Sequence, residues 1–525
     1  MTIKQFKTDY SGAFNDIDPR YPYYHLNEGL YHLPIGANDC NAFVYIPPKT
    51  SCSCWSVAIL LDNDDYAESF IEKSGWKTIA DEEKLVLFLL KPLSTWNECS
   101  DPVLCVEKLR EQLDVRDHYV TQVFFAYLLG YSDGASVALR YTMIHPDAYA
   151  GLGLVGDFEF SAQEENLGAN SALLPYISAS DVPVPVYFQV KEKSESFMRA
   201  FDHFKKRNKC TNSVFEAENR LVSYPVQTQS QDTINGQFVA DVIGDVGGFD
   251  ISYEFSCKIW NQLHRTIRTT GVGPGGLHTF KTLESLGITT HEMMCGGYMR
   301  HWCEYIPQRN VSRKGKRPVV VFCHGGTQVA ESGLYAAEWF NVAESRDFIV
   351  LFPSGGMAQT RMNANPMPTW NTNCLTEDYM DDELFIRKMI EDLSTREEID
   401  CARIYITGHS MGSGMTQRCL LDMPDIFAAG ASNSGVVLGD FELATTKKNY
   451  DVACLRLAST MWIILIFKKA IEFAKILSIG SREVICNLWK RVAAILADDT
   501  KILCGATKKV FRWFGMLQHS IKLTA

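Results

Sequence analysis

Apolar runs that do not alternate with polar residues recur along the chain, at Val57–Leu61, Leu85–Leu89, Val319–Phe322, Phe348–Phe352 and Ile404–Thr407. A strand with one wet face alternates, whereas a strand covered by helices on both faces reads as a continuous apolar stretch, so these runs predict mostly parallel sheets sandwiched between helices. Two pairs of segments match each other without gaps. Trp76–Ala80, a polar quartet and Leu85–Leu89 read against Trp339–Ala343, a polar quartet and Phe348–Phe352. Phe124–Gly151 reads against Ala402–Ala429: an apolar strand, a G-x-S-x-G turn, a helix, and then His145–Tyr149 beside Met423–Phe427. Self-similarity of this kind predicts two tandem copies of one αβ unit, each with a doubly wound sheet. The glycine-rich stretch Thr270–His278 is the most linker-like in the chain and places the boundary near 275.

Length supports this division, since 525 residues exceed what one hydrophobic core serves. Composition adds little: 46% hydrophobic and 22% charged residues are ordinary for a folded chain. Charge adds more. The net −11 offers no electrostatic footprint for nucleic acid, yet Phe441–Ala525 carries 14 Lys and Arg against 6 Asp and Glu, a basic segment foreign to the acidic rest. The expected organisation is therefore a first unit over 1–275, a second over 276–440 and an atypical segment over 441–525. Met461–Phe467 is the most apolar run, too short to span a bilayer, and reads as a buried strand. The N-terminus lacks the apolar core and cleavage site of a secretory signal, so a cytoplasmic chain is expected. Sixteen cysteines show no zinc-type spacing, and reduced, mostly buried thiols are expected.

The chemistry lies in the turns. A serine hydroxyl is a weak nucleophile that needs exposure, a base and donors for an oxyanion. In Gly408-His409-Ser410-Met411-Gly412 the flanking glycines allow a sharp strand-to-helix turn that leaves Ser410 Oγ at the carboxyl edge of the sheet. Chance alone gives about 0.15 such motifs in a chain this long, so context decides. A strand precedes the motif, a helical Met415–Leu421 follows, and His324-Gly325-Gly326-Thr327 sits upstream after Val319–Phe322. The oxyanion hole is expected from the amides of Met411 and of Gly326 or Thr327.

Arg300–Pro307, the His-Gly-Gly turn, Trp370-Asn371, Asp381-Asp382 and Ile399–Gly412 together resemble the polyhydroxybutyrate depolymerase and feruloyl esterase family of α/β-hydrolases, over about 290–437. The resemblance implies a serine carboxylic ester hydrolase acting on small-molecule or polymer-linked esters through an acyl-enzyme on Ser410, with no cofactor or metal; no membrane span is expected from the short apolar run, and the family is often extracellular. Trp370 and Asn371 read equally as acyl-pocket lining or loop anchors. Asp381 and Asp382 read as helix N-terminal charges. His409 reads as structural, and His324 as shaping the turn.

Fold order places acid and base after the nucleophile, where His519 is the only histidine and Glu472, Asp498 and Asp499 are the acids weighed. None has the family's flanking context, so the sequence after about Leu438 reads as diverged or replaced. The first copy has its own elbow, Gly130–Gly134 around Ser132, and a later strand Val184–Gln189 followed by Glu192 and Glu195. Asp62-Asn63-Asp64-Asp65 stands where the other copy has His-Gly-Gly-Thr, and His203 and His264 both fall in helices. A degenerate copy is expected. Two other functions remain open: a non-catalytic ligand-binding or scaffolding protein of two lapsed hydrolase units, and a peptidase of the same fold.

Overall fold

The computed structural model describes residues 1–466 except 8–11, 13–14, 63–65, 114, 169–171, 175–176, 218, 226–239, 269–275, 309–314, 361–362, 373–379, 436–452 and 458–462. Two large sheets carry the chain. The first contains β1 (Gly29–Leu33), β2 (Cys40–Ile46), β3 (Cys54–Leu60), β4 (Val86–Pro92), β5 (Thr121–Tyr131), β6 (Leu152–Val155), β7 (Val186–Val190), β8 (Cys210–Ala217), β9 (Arg220–Pro225) and β10 (Val242–Val246). Their spatial order is β1-β2-β4-β3-β5-β6-β7-β10-β9-β8. The second contains β11 (Ile288–Cys295), β12 (Tyr298–Tyr305), β13 (Arg317–Cys323), β14 (Ile349–Pro353), β15 (Ile399–His409), β16 (Ala429–Asn433), β17 (Ala453–Leu457) and β18 (Ile463–Ile466), in the order β11-β12-β14-β13-β15-β16-β17-β18.

Strand for strand, the first seven positions of the two sheets coincide. In each, an antiparallel pair leads into a strand antiparallel to the second, and four parallel pairings follow. The helices repeat too: α1 (Pro102–Gln112) and α2 (Asp133–Ile144) in the first half, then α3 (Ala330–Ala337), α4 (Asp382–Arg396) and α5 (Met411–Asp422) in the second. α1 and α4 occupy matching places in the chain, and each starts on an aspartate whose carboxylate caps the amide three residues on, Asp101 to Leu104 and Asp381 to Leu384. The Trp76 and Trp339 segments are both helices that end on a left-handed residue, Lys84 or Asp347, just before a core strand. Both halves are thus α/β. The sheets part company at the eighth position, where β10 is parallel to β7 but β18 is antiparallel to β17. The apolar run Met461–Phe467 contributes β18.

Apolar side chains cover both faces of each sheet, as the non-alternating runs require. The glycine-rich stretch enters the described residues at Gly276, and Leu277–Thr279 then pairs antiparallel with Thr266–Arg268. The halves also share buried surface: Ile17, Tyr23, Cys52 and Val120 pack with Val329, Met357, Met367 and Met380. Trp55 meets Phe280 edge-on at 4.7 Å, and Phe125 meets Tyr335 at 5.8 Å. Among the described residues no helix is long and apolar enough to cross a membrane.

Candidate active site

β15 lies between β13 and β16, so parallel hydrogen bonds on both sides fix where it ends. The chain then turns at Ser410, whose φ of 54° and ψ of −116° are costly for any residue with a Cβ. Two bonds hold it there: the Ser410 amide donates to the Asn433 carbonyl at 3.0 Å, and the Ser413 amide donates to the Ser410 carbonyl at 3.0 Å. A side chain at Gly408 would strike the Gly412 carbonyl, and one at Gly412 would strike the carbonyls of Cys323 and His324. Both elbow glycines are therefore demanded by close packing of backbone on backbone. Ser410 is half-buried at the N-terminus of α5, where the helix dipole favours developing negative charge. The first copy repeats this geometry: Ser132 stands at φ 47° and ψ −122°, its amide donating to Val155 at 2.8 Å.

The His-Gly-Gly turn meets the elbow from the neighbouring strand. A Cβ on Gly326 would lie 3.2 Å from Met411 Cγ, so the two residues face each other closely. Among the described residues neither the Gly326 nor the Met411 amide has a hydrogen-bond partner. Thr327, expected as an alternative hole donor, is not available. Its left-handed φ of 68° turns its amide away, toward the Pro368 carbonyl at 2.7 Å. Its own carbonyl is held from the first half of the chain, by Ser53 Oγ at 2.5 Å and Gln122 Nε2 at 3.2 Å.

His324 is a structural residue. Nδ1 donates to the Gly325 carbonyl at 2.6 Å, which leaves Nε2 to accept the Gly355 amide at 2.9 Å, so the ring is bound as the neutral tautomer. Burial pushes its pKa from 6.5 down to about 4. Such a histidine takes up its proton more readily unfolded, so its contribution to stability is complete above pH 6.5 and is lost as pH falls to about 4. The depression corresponds to about 3 kcal/mol. Chemical denaturation at pH 7 and pH 4.5 should show a smaller acid loss for His324→Asn than for the wild type; equal losses would assign the effect elsewhere. His25, also buried and lowered to about 4, acts in the same direction in both proteins and cancels in the comparison.

Trp370 is fully buried and donates Nε1 to the His324 carbonyl at 2.7 Å, so of its two readings the loop anchor holds. Asp381 caps α4, as expected of a helix-start acid. Asp382 does more. Its carboxylate accepts from Arg300 at 2.5 Å, from the Gly356 amide at 3.0 Å and from the Asn371 amide at 2.6 Å. Arg300 in turn donates to Tyr23 Oη at 3.0 Å and the Ser354 carbonyl at 2.8 Å. Burial works against its charge, yet Tyr23 and Asp382 together raise the guanidinium pKa further above its ordinary value.

His409, beside the nucleophile, is exposed, and among the described residues no histidine is hydrogen-bonded to Ser410 or to Ser132. In the first copy, His264 Nδ1 is committed to the Trp260 carbonyl at 2.7 Å, and His203 lies 3.5 Å from Glu165. Glu195 opens its helix and pairs with Arg199. His519, Glu472, Asp498 and Asp499 lie outside the described residues.

A family model described as Esterase PHB depolymerase matches residues 302–499. The second half of this chain is similar to that esterase family over the matched residues. The matched range contains the turn, the elbow and the acids Glu472, Asp498 and Asp499, extends beyond Leu438 into the basic segment, and stops short of His519. Proteins similar to it include poly(3-hydroxyalkanoate) depolymerase C of Paucimonas lemoignei, 30% identical over 25% of this chain and 30% of the relative. Acetylxylan esterase A of Emericella nidulans is 29% identical over 26% of this chain and 42% of its own length. Feruloyl esterase B of Talaromyces funiculosus is 29% identical over 25% and 35%. The chain thus spans less than half the length of these relatives.

Proposed function

We propose that the second half is a serine carboxylic ester hydrolase working through an acyl-enzyme on Ser410. One observation carries this reading: the strained serine stands beside two backbone amides, of Gly326 and Met411, that have no partner among the described residues. In the reaction, Ser410 Oγ attacks the ester carbonyl as a base takes its proton, and the two amides receive the oxyanion of the tetrahedral intermediate. The alcohol leaves with a proton returned from the base, and water then releases the acid. Chain order makes His519 the candidate base. Acetylxylan, feruloyl esters and poly(3-hydroxyalkanoate) are the substrate classes suggested by the names of the relatives.

p-Nitrophenyl acetate turnover, together with labelling by a fluorophosphonate, tests the reading. Labelled peptide containing Ser410 is expected. A chain that neither turns over ester nor takes label would leave a scaffold of two lapsed units.

The first copy is proposed as a supporting unit rather than a second enzyme, because Ser53 and Gln122 grip the carbonyl of the very turn that offers Gly326. Removing both grips with Ser53→Ala and Gln122→Leu strands a buried carbonyl at a cost of about 1–3 kcal/mol. A displaced hole donor should lower kcat by about 10- to 100-fold with KM little changed. Unchanged kcat in the double variant would show that the turn holds itself.

A further inference from the structure

Three cysteines remote in sequence converge beside the first sheet. Cys40 opens β2, Cys99 lies in the loop after β4, and Cys105 stands in the first turns of α1. Their sulfurs are 4.0 Å apart for Cys40 and Cys99 and 3.7 Å for Cys99 and Cys105, and all three fall within 4.8 Å of one another. We propose that Cys40, Cys99 and Cys105 form a three-thiolate site for Zn²⁺.

The distances favour a shared ion over a covalent pair. Zinc–sulfur bonds of about 2.3 Å in tetrahedral geometry place sulfurs about 3.8 Å apart, a spacing that lies between the two separations seen. A disulfide needs about 2.05 Å and would leave the third thiol over.

The scaffold holds the sulfurs in place from three sides. Cys40 pairs across the ladder with Pro92 at the end of β4, and the Leu93 amide continues the pairing to the Asp39 carbonyl at 2.9 Å. The Asp39 carboxylate then holds the Ser100 amide at 3.0 Å, and Trp96 Nε1 pins the same loop to the Leu61 carbonyl at 2.9 Å. Asp101 caps α1 through the Leu104 amide at 2.9 Å, which sets the position of Cys105. Cys40 and Cys105 are buried, and Cys99 is partly exposed. Cys99 is the most exposed of the three, and three protein ligands leave the fourth position of a tetrahedral ion to water. Thiolate is the soft ligand that selects zinc over the hard cations. On binding, three S–H bonds break as three S–Zn bonds form, and three protons go to the buffer. The bound ion joins β2, the loop and α1, an attachment that the ladder alone does not supply.

Full-length chain, reduced with a phosphine and stripped of metal, would be titrated with Co²⁺ as the spectroscopic probe and then with Zn²⁺. The expected result is a thiolate-to-cobalt charge-transfer band saturating at one ion per chain, displaced by Zn²⁺, with about three protons released per ion. Losing an outer-shell partner costs a metal site 10–100-fold, so losing a ligand through Cys99→Ser should weaken binding by at least about 100-fold. The exposed thiol variant Cys401→Ser serves as the control and should bind as the wild type does. Equal Co²⁺ affinity in wild type and Cys99→Ser overturns the proposal, as does peptide mapping that finds two of the three joined as a disulfide in the isolated chain. Should Cys99→Ser fail to fold by circular dichroism, the wild type decides alone: Zn²⁺ must protect Cys99 from alkylation, and an equal alkylation rate with and without the ion sinks the site.

Discussion

Ser410→Ala is expected to lower turnover of p-nitrophenyl acetate by about a thousandfold or more, leaving only what the oxyanion donors and binding supply. The substitution is conservative for the fold. No described hydrogen bond uses the Ser410 hydroxyl, while the bonds that hold the elbow run through its amide and carbonyl to Asn433 and Ser413, and alanine keeps both. Circular dichroism should therefore match the wild type while fluorophosphonate labelling disappears. Ser132→Ala has the same local geometry but faces no His-Gly-Gly turn, so it should retain activity and label. The reverse pattern, with Ser132→Ala inactive and Ser410→Ala near wild type, would move the active site to the first half.

The largest stability effect is expected at Arg300. Both partners of the Arg300–Asp382 pair are almost completely buried, and the carboxylate also orders the segments at Gly356 and Asn371. Arg300→Leu leaves a buried carboxylate facing only two amides. Breaking such a pair costs about 3–5 kcal/mol, and the unfolding transition of the second half should shift to correspondingly lower guanidinium. Tyr23→Phe removes the hydroxyl that accepts from Arg300 and donates at 3.4 Å to the Ser354 carbonyl, leaves the ion pair itself intact, and should cost about 1–2 kcal/mol. If Arg300→Leu unfolds at the wild-type midpoint, the pair is dispensable and the segments at Gly356 and Asn371 are ordered by other contacts.

Sequence pattern was sufficient wherever one local rule governs. Non-alternating runs became central strands, the two gapless matches became equivalent helices and strands, and the glycines around Ser410 stand where backbone approaches backbone. Asp381 was legible as a helix-start acid because the start of a helix is decided within four residues, and the structure makes it the cap. Its neighbour was not: Asp382 is an ion-pair partner only because β12 brings Arg300 to it from 82 positions away. Thr327 was misjudged for a related reason. Threonine rarely takes a positive φ, and nothing in His-Gly-Gly-Thr announces that this one does and so turns its amide to Pro368. The cysteine cluster was invisible to spacing, since Cys40 and Cys99 lie 59 residues apart. The basic C-terminal segment reads as foreign by composition, yet the family match runs through it to residue 499.

Tyr23 carries a consequence for the order of events during synthesis. It leaves the ribosome well before its partners, for its hydroxyl is bonded to Arg300 and to the Ser354 carbonyl, and nearby Pro19 accepts the Met299 amide at 2.7 Å. Those partners emerge hundreds of residues later. The first sheet can close on itself meanwhile, but the segment before it has no final berth until β12 and β14 are made. The Pro19–Tyr23 segment is thus the last part of the first half to settle, and a nascent chain arrested before Met299 should expose it to protease that the finished protein resists.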